Sequence, residues 1–554
     1  MPNLGTMKRN RLFALIFMTL TWCGAFALTD TYPKNPNIDA LNYRFEIKLS
    51  DTSDEIVCKE TVDIRYLAAG ETRLRLDLVN VSEKLGNKGM EVTGVWSHGT
   101  PLQYTHENDV LLIQLPEPST KDQRTSYTIH YKGVPASGLK IADNKYGDRT
   151  FFSDNWPDKG RHWLATIDHP YDKATCEFVV TAPSHYQVVS NGVKIEERDM
   201  ANGHRLTHWR QSVPIASWLY VLGVARFAVQ YVDTFDGKSI ETWVYPQDRD
   251  AGFYDFAIPT KSALEFYSDR IGPFSYEKLA NIQSNSVSGG MEAASAILYS
   301  ENSVVGDRNE RWRNVVIHEI AHQWFGNAVT EYDWDDVWLS EGFATYFTLL
   351  FIEHQYGRDA FLSGLEKSKK TVDVFYEKHP DYRIVHDNLS DMSQVTTIQT
   401  YQKGSWILHM LRGVVGTEVF WKGIRSYYAK YKDLNATTED FRREMEEASG
   451  MDLEAFFNQW LYKPGTLQLE GTWQFDAKNK AVKVRLDQVQ KDGSLFKMPL
   501  EIGIYGTSDK QQVIKTISVD KQSDTFTFPI DFTPEKVVLD PNYWVLMEAD
   551  FSKK

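Results

Sequence analysis

The spacing of hydrophobic residues divides the chain into three stretches. From about Tyr43 to Val229, apolar and polar positions alternate in short runs that turn residues interrupt, and this alternation predicts β-strands. From Ala257 to about Tyr462 the apolar residues recur with a helical period, and after Pro464-Gly465 the alternation returns. We therefore expect a large all-β region, a mainly helical region and a small β region, in that order.

The strongest local patterns are specific enough to place individual elements. The clearest strands start at Tyr43, Thr72, Val110 and Cys176 in the first stretch, and at Val482 and Leu500 in the last. The clearest helices start at Ala263, Trp312, Phe343, Trp406 and Phe441. With 554 residues the chain is long enough for several hydrophobic cores. We place the domains at residues 28–230, 231–465 and 466–554.

An export signal is predicted ahead of the first domain, over residues 1–27. A basic segment around Lys8 precedes an apolar run from Leu12 to Ala27, and Ala25-Phe-Ala offers a small-x-small cleavage site. The run is shorter than the roughly 20 residues that a bilayer span needs, which argues against an uncleaved anchor. We expect an exported protein, periplasmic or extracellular, without a stable transmembrane anchor.

Charge and cysteine content exclude two kinds of site. The formal net charge is −14 and no stripe of Lys and Arg runs along the chain, whereas nucleic-acid binding draws on concentrated positive charge. No nucleic-acid partner is expected. Cys58 and Cys176 lie on apolar faces of predicted strands, so two buried thiols are expected; a disulfide stays open because sequence does not give their distance. Two cysteines so far apart do not form a metal-binding set.

The chemistry is concentrated in one helical segment, where residues 318–322 read His-Glu-Ile-Ala-His. Histidines four positions apart project from the same helix face, so His318 and His322 can reach one metal ion. Glu319 lies beside that ion, where it can act as the general base for a water that the metal activates. Nitrogen and oxygen ligands with one open position are what a hydrolytic zinc site needs.

Glu341 supplies the third ligand in this interpretation. It falls in the first turn of a second predicted helix, in Trp338-Leu-Ser-Glu-Gly-Phe, and the intervening loop can return the chain to the same ion. A Glu at such a position is by itself more often a surface residue that the helix dipole favours. Together with the His pair, however, it predicts one zinc ion per chain, held by His318, His322 and Glu341.

Four motifs in a fixed order resemble those of the zinc aminopeptidases related to aminopeptidase N and leukotriene hydrolase, which are gluzincin metallopeptidases. The motifs are Gly289-Gly-Met-Glu-Ala, His318-Glu-Ile-Ala-His-Gln-Trp-Phe-Gly-Asn, Trp338-Leu-Ser-Glu-Gly-Phe-Ala-Thr-Tyr and Tyr401-Gln-Lys-Gly-Ser-Trp. The likeness extends to Val189-Ser-Asn-Gly and Asp168-His-Pro in the first stretch. It implies a multidomain α+β fold with an N-terminal β-saddle, a thermolysin-like, mainly helical catalytic domain and a C-terminal β-sandwich.

The resemblance also implies a role for each motif residue. Glu292 would bind the free α-ammonium group of the substrate, and the backbone of Gly289, Gly290 and Met291 would line an edge along which the peptide lies extended. Tyr401 would donate a hydrogen bond to the developing oxyanion. Taken alone, Tyr401 would more often be a packed aromatic residue, and Glu292 a solvated loop residue.

Two positions depart from the family pattern. Ala293 stands where the family usually has Asn, which leaves the local support of Glu292 open. Where the family commonly offers Gln or Glu as a second anchor for the substrate amine, this chain reads Phe152-Ser-Asp-Asn-Trp. Asp154 is therefore the candidate for that second anchor.

Taken together, these observations predict a zinc-dependent metalloaminopeptidase that removes N-terminal residues from peptides. A zinc endopeptidase would share the same helix, but Glu292 would favour only substrates that have a free N-terminus. An epoxide-hydrolysing enzyme is a weaker alternative, because such relatives carry further determinants in a C-terminal domain that is not seen here. A catalytically silent peptide-binding scaffold is the alternative from another class, and the intact set of ligand and acid residues argues against it.

Overall fold

The structure, a computed structural model, describes residues 30–385, 389, 391–508 and 510–554. The predicted export signal lies outside these residues. Among the helices that the structure describes, none is long and apolar enough to cross a membrane.

The N-terminal region is built from β-strands. In chain order they are β1 (Ile38–Lys48), β2 (Ile56–Tyr66), β3 (Arg73–Asp77), β4 (Gly89–Ser97), β5 (Thr100–Pro101), β6 (Tyr104–Glu107), β7 (Val110–Gln114), β8 (Arg124–Val134), β9 (Leu139–Asp143), β10 (Arg149–Ser153), β11 (Lys173–Pro183), β12 (Gln187–Ser190), β13 (Val193–Asp199), β14 (His204–Ala216) and β15 (Leu222–Ala225). They form an eight-stranded sheet in the order β13-β14-β11-β1-β2-β8-β4-β5, a four-stranded sheet β12-β15-β10-β9 and a three-stranded sheet β3-β7-β6.

Strand β1 shows how the alternating sequence produces this region. Tyr43, Phe45 and Ile47 are buried on one face while the residues between them are partly exposed, as expected when only one sheet face meets the core. The predicted strands at residues 43, 72, 110 and 176 fall in β1, β3, β7 and β11 and are confirmed. Cys58 and Cys176 are buried, unpaired thiols, and they lie on β2 and β11, which flank β1 on opposite sides.

The middle region combines helices with a sheet. The helices are α1 (Arg249–Arg270), α2 (Glu310–His322), α3 (Trp338–Tyr356), α4 (Arg358–Lys378), α5 (Gly404–Val415), α6 (Thr417–Tyr431), α7 (Thr438–Ser449) and α8 (Glu454–Leu461). The strands are β16 (Ala228–Phe235), β17 (Lys238–Val244), β18 (Lys278–Ser284), β19 (Gly290–Met291), β20 (Ala296–Ser300), β21 (Val329–Glu331) and β22 (Leu434–Ala436). The five helices predicted from periodicity fall in α1, α2, α3, α5 and α7 and are confirmed.

A five-stranded sheet in this region, β16-β17-β18-β20-β19, was not predicted. Strand β18 is buried at every position, so its sequence has no alternation that would mark it as a strand. The sheet nevertheless positions the site, because its edge strand β19 ends directly before Glu292.

The C-terminal region again consists of strands. They are β23 (Leu467–Asp476), β24 (Ala481–Gln488), β25 (Met498–Tyr505), β26 (Gln512–Val519), β27 (Ser523–Pro529), β28 (Lys536–Leu539) and β29 (Met547–Lys553). They form a four-stranded sheet, β27-β24-β23-β29, and a three-stranded sheet, β26-β25-β28. The strands predicted at Val482 and Leu500 correspond to β24 and β25 and are confirmed.

Lys173 of β11 ties the N-terminal region to the segment that follows α2. Its Nζ donates hydrogen bonds to the backbone oxygens of Asn327 and Ala328, both at 3.0 Å, and to Thr330 Oγ1 at 2.9 Å. It also lies 3.3 Å from the Leu434 oxygen in β22. One side chain thus joins three segments that are distant in sequence.

We expect Lys173→Met to lower the free energy of unfolding by about 1–3 kcal/mol, because the hydrogen bonds from Lys173 Nζ to Asn327, Ala328 and Thr330 are lost. Urea unfolding followed by tryptophan fluorescence measures this change. Lys59→Met is the matched control, since the Lys59 side chain on β2 is about half exposed and its ammonium group lies 3.0 Å from the partly exposed carboxylate of Glu46. Equal unfolding midpoints for the two variants would contradict a bridging role for Lys173.

Candidate active site

Helix α2 presents the predicted histidine pair to a cleft. The helix begins after Asn309, whose side-chain oxygen accepts a hydrogen bond from the Trp312 backbone N–H at 3.2 Å and so caps the first turn. One turn separates the two histidines, and the Nε2 atoms of His318 and His322 lie 3.1 Å apart. Both imidazoles therefore point to the same place, as their spacing predicts.

Helix α3 brings Glu341 to the pair from its first turn. Glu341 Oε2 lies 3.4 Å from His318 Nε2 and 3.2 Å from His322 Nε2. Ligand atoms at zinc-ligand distances in a tetrahedral site lie about 3.3 Å from one another. The three atoms thus have the mutual spacing that one zinc ion requires. Among the described residues, one other trio, Glu292, Glu319 and His322, has ligand atoms within 4.8 Å of one another.

The surroundings of His322 fix its orientation for metal binding. Its Nδ1 lies 3.2 Å from the Phe325 backbone oxygen and 3.1 Å from Ser340 Oγ. A proton on Nδ1 satisfies the carbonyl oxygen and leaves the lone pair of Nε2 for a metal. Gly326 makes this packing possible, because a Cβ there would lie 2.3 Å from Ser340 Oγ.

The cluster favours positive charge. Burial disfavours a charged imidazole, but the carboxylates of Glu292 and Glu341 outweigh it and raise the pKa of His322 to about 10. Burial likewise disfavours an ionised Glu341, yet the charge of His322 holds the pKa of Glu341 well below its usual value. Glu341 Oε2 is buried and has no hydrogen-bond donor among the described residues. A divalent cation would satisfy this oxygen.

Two further carboxylates face the same cleft. Glu292 Oε1 lies 3.9 Å from His322 Nε2, and Glu319 packs against Gly290, where a Cβ would come within 2.2 Å of Glu319 Oε1. Burial raises the pKa of Glu292 to about 7, and burial together with the charge of Glu292 raises the pKa of Glu319. Glu292 Oε1 and Glu319 Oε2 are buried without partners in the described part of the chain. Each residue thus has an oxygen available to a ligand.

Tyr401 reaches the cluster from a π-helical turn, Gln399–Lys403. Its hydroxyl donates a hydrogen bond to Glu341 Oε1 at 2.7 Å. Two glycines allow this approach, because a Cβ on Gly342 would lie 3.0 Å from the Gly404 Cα. A side chain at either glycine would require α3 and α5 to move slightly apart.

Asp154 reaches the cleft from the N-terminal region, immediately after β10. It lines a cavity of about 540 Å³ together with all the other site residues predicted from the sequence: Gly289, Gly290, Met291, Glu292, His318, Glu319, His322, Glu341 and Tyr401. Its Oδ2 also lies 3.3 Å from Lys159 Nζ. The apolar side chains of Trp156, Val287 and Val315 complete the wall, and these were not predicted.

Two family models match the chain. The peptidase family M1 domain matches residues 257–460, which include the histidine pair, and the peptidase M1 N-terminal domain matches residues 40–219. The chain belongs to peptidase family M1.

Curated proteins similar to this M1 chain are aminopeptidases by name. Glutamyl aminopeptidase of Sus scrofa is 28% identical over 391 residues, which are 67% of this chain and 41% of that protein. Leucyl aminopeptidase of Saccharolobus solfataricus is 27% identical over 393 residues, covering 68% of this chain and 48% of that protein. The chain thus spans less than half the length of these two relatives. Its fold resembles that of Legionella pneumophila aminopeptidase A in complex with aspartic acid, with a TM-score of 0.78, 20% identity, and coverage of 94% of this chain and 60% of that chain.

The structure also shows supporting residues of the M1 site that the sequence analysis missed. Gln323 Nε2 and Asn327 Nδ2 donate hydrogen bonds to the Glu292 backbone oxygen at 3.0 and 2.6 Å. Support for Glu292 therefore comes from the segment after α2, although Ala293 offers no polar side chain. The available signal was the presence of Gln323, Asn327 and Ser340 as uncharged polar residues beside apolar side chains in the motifs that carry the proposed ligands.

We expect Ser340→Ala to weaken zinc binding by about ten- to a hundredfold, the usual effect of removing a partner that orients a ligand histidine. Titration of the apoprotein with zinc against a competing chelator measures this. Ser405→Ala is the matched control, because the Ser405 hydroxyl is buried but has no hydrogen-bond partner among the described residues. Equal zinc affinities in both variants would mean that Ser340 does not orient His322.

Proposed function

We propose that this chain is a zinc-dependent metalloaminopeptidase that hydrolyses the first peptide bond of substrates with a free N-terminus. The observation that carries the proposal is the position of Glu292. Its buried carboxylate has a free oxygen and lies 3.9 Å from His322 Nε2, beside the cluster that would bind the metal. A carboxylate so close to a metal can bind an α-ammonium group only if a single residue precedes the scissile bond. Membership of family M1 and the names of the relatives support the same activity.

The metal ligands would be His318, His322 and Glu341, with one ion per chain. Bound there, zinc would polarise the scissile carbonyl and lower the pKa of a water molecule at its open position. The match in ligand type and spacing, and the preference of the cluster for positive charge, support this assignment.

Glu319 would carry the proton. Its unpartnered Oε2 would accept a proton from the attacking water and return it to the leaving nitrogen. The raised pKa of Glu319, which burial causes first and the charge of Glu292 second, favours the protonated state between these two steps. Tyr401 would donate its hydroxyl proton in a hydrogen bond to the oxyanion, since that hydroxyl already lies at the edge of the ligand cluster.

The substrate backbone would lie along β19. This strand is the outer strand of its sheet, and an open strand edge can pair with an extended peptide. Gly289, Gly290 and Met291 line the cavity beside Glu292, which supports their assignment as the substrate-binding edge. Asp154 would be a second anchor for the substrate amine, contributed by the N-terminal region.

We also propose a type for each domain and an exported location for the protein. The three regions support a β-saddle over residues 28–230, a thermolysin-like catalytic domain over 231–465 and a β-sandwich over 466–554, of which the last would pair the four-stranded and three-stranded sheets. Export to the periplasm or the extracellular space rests on the signal pattern at residues 1–27, outside the described residues.

Two substitutions separate metal binding from proton transfer. We expect Glu341→Ala to lose the zinc, because a ligand is removed, and Glu319→Gln to keep one zinc per chain while losing nearly all turnover. Elemental analysis and hydrolysis of an aminoacyl-coumarin, with and without chelator, measure the two properties. A near-normal kcat in Glu319→Gln would exclude Glu319 as the base, and active protein without metal would exclude the zinc mechanism.

The choice between exopeptidase and endopeptidase is tested with a peptide and its N-acetylated twin. We expect stepwise shortening of the free peptide and almost no cleavage of the acetylated one, because acetylation removes the ammonium group. Glu292→Gln should lower kcat/KM for the free peptide by about tenfold, as a charge-assisted hydrogen bond is replaced by a neutral one. Internal cleavage of the acetylated peptide by wild-type protein at a comparable rate would show an endopeptidase instead.

A further inference from the structure

We propose that Asn191, in the N-terminal β region, is a positioning residue that holds Glu292 in place and thereby restricts cleavage to free N-termini. The proposal rests on the proposed function, because it takes Glu292 as the group that binds the substrate ammonium. Asn191 touches neither the cleft nor the ligand cluster, and would act through the segment that follows Glu292.

Both polar atoms of the Asn191 side-chain amide form hydrogen bonds. Its Nδ2 donates hydrogen bonds to the backbone oxygens of Ala294 at 2.7 Å and Leu219 at 2.9 Å, and its Oδ1 accepts one from the Val221 backbone N–H at 2.8 Å. Only 1% of Asn191 is exposed, so water does not compete for these bonds. Because two bonds fix the side chain within its own region, the third fixes Ala294 relative to that region.

A second hydrogen bond comes from Gly192, which follows Asn191 in the turn after β12, and it holds Ser295. The Gly192 backbone N–H donates to Ser295 Oγ at 2.7 Å. Ser295 has φ +63°, a left-handed conformation that a non-glycine residue adopts only when its surroundings impose it. Gly192 itself has φ +69°, and a Cβ there would lie 1.9 Å from the Arg210 backbone oxygen. The turn can therefore make this contact only with glycine at position 192.

Both regions contact the segment from Glu292 to Ser295. Gln323 donates to the Glu292 backbone oxygen and accepts a hydrogen bond from the Ser295 backbone N–H at 3.0 Å, so one side chain of the α2 segment spans both residues. Lys278 Nζ lies 2.7 Å from the Ser190 oxygen and 3.3 Å from the Ser295 oxygen, which joins the turn to the same segment. Asn191 supplies the contact at Ala294, which lies between Glu292 and Ser295 in the sequence.

The substitution at Ala293 makes this contact more important. The family resemblance leads us to expect an Asn at that position, but the Ala293 side chain can form no hydrogen bond. The segment from Ala293 to Ser295 is therefore held through its backbone and the Ser295 side chain, by residues that include Asn191 and Gly192, far away in sequence. The separation between the Glu292 carboxylate and the histidine pair consequently depends on a contact between the N-terminal and middle regions.

We expect Asn191→Ala to lower kcat/KM for a free peptide by about three- to tenfold, mainly through KM, since a displaced Glu292 carboxylate loses at most about as much of its contact with the ammonium group as Glu292→Gln does. Zinc content should stay at the wild-type value. The ratio of kcat/KM for the free peptide to that for its acetylated twin should fall by a similar factor, because the acetylated peptide does not use Glu292. A loss of stability alone would lower both rates and leave this ratio unchanged.

Asn144→Ala is the matched control. Asn144 is also a buried asparagine that holds a turn of the same four-stranded sheet, and its Oδ1 accepts hydrogen bonds from the Tyr146 and Asp148 backbone N–H groups at 2.9 and 3.0 Å. Its side chain makes no contact with the segment after Glu292 among the described residues, so the ratio should not change. If Asn191→Ala does not fold, Ser295→Ala removes the neighbouring bond and should shift the ratio in the same direction.

A double-mutant cycle gives the decisive test. If Asn191 acts through Glu292, then Asn191→Ala should change kcat/KM by less than about twofold in the Glu292→Gln background, because coupled residues are not additive. The full loss in that background would overturn the proposal, as would a wild-type ratio in Asn191→Ala. These outcomes are distinct from failure of the proposed function, which would appear as cleavage of the acetylated peptide by the wild-type protein.

Discussion

The structure is organised around three buried carboxylates in one cleft, together with the buried imidazole of His322 and the partly buried imidazole of His318. Glu292, Glu319 and Glu341 are nearly inaccessible to solvent and influence one another's ionisation. Like charges buried together repel unless a proton, a cation or a cationic ligand compensates them. A metal at the His–His–Glu cluster and an ammonium group at Glu292 would provide that compensation. Binding and catalysis, as proposed, would therefore be two consequences of the same electrostatic arrangement.

Such a cluster forms only if the backbones that carry it approach closely, and glycines make these approaches possible. Gly290 leaves room for Glu319, and Gly342 lies against Gly404 so that Tyr401 can reach Glu341. A methyl group at Gly290 would come within 2.2 Å of Glu319 Oε1, and one at Gly342 within 3.0 Å of the Gly404 Cα, so either would force neighbouring atoms to move. The glycines in the motifs thus allow the close approaches that bring the charged residues together.

The N-terminal β region contributes to the wall of the candidate active site and contacts the segments that form it. Asp154 lies on the cavity wall, Lys173 holds the segment after α2, and the turn at Asn191 holds the segment after Glu292. The groups proposed for hydrolysis all lie in the middle region. The N-terminal region would instead determine which peptide bond, counted from the N-terminus of the substrate, is hydrolysed.

The sequence alone determined the features that depend on one element or on a fixed period. Histidines four apart lie on one helix face in any α-helix, so His318 and His322 could be paired without a structure, and Glu341 followed from its place in a second helix. The alternating strands and five helices were predicted for the same reason.

Strand β18 could not be predicted from its sequence, because it is buried on both faces and has no alternation. The hydrogen bonds that Gln323, Asn327 and Asn191 form around Glu292, and the separation of Cys58 from Cys176 across β1, were decided only by the tertiary structure. Each of these depends on distances between segments far apart in the chain, whereas a local pattern reports only which face of its own element is buried.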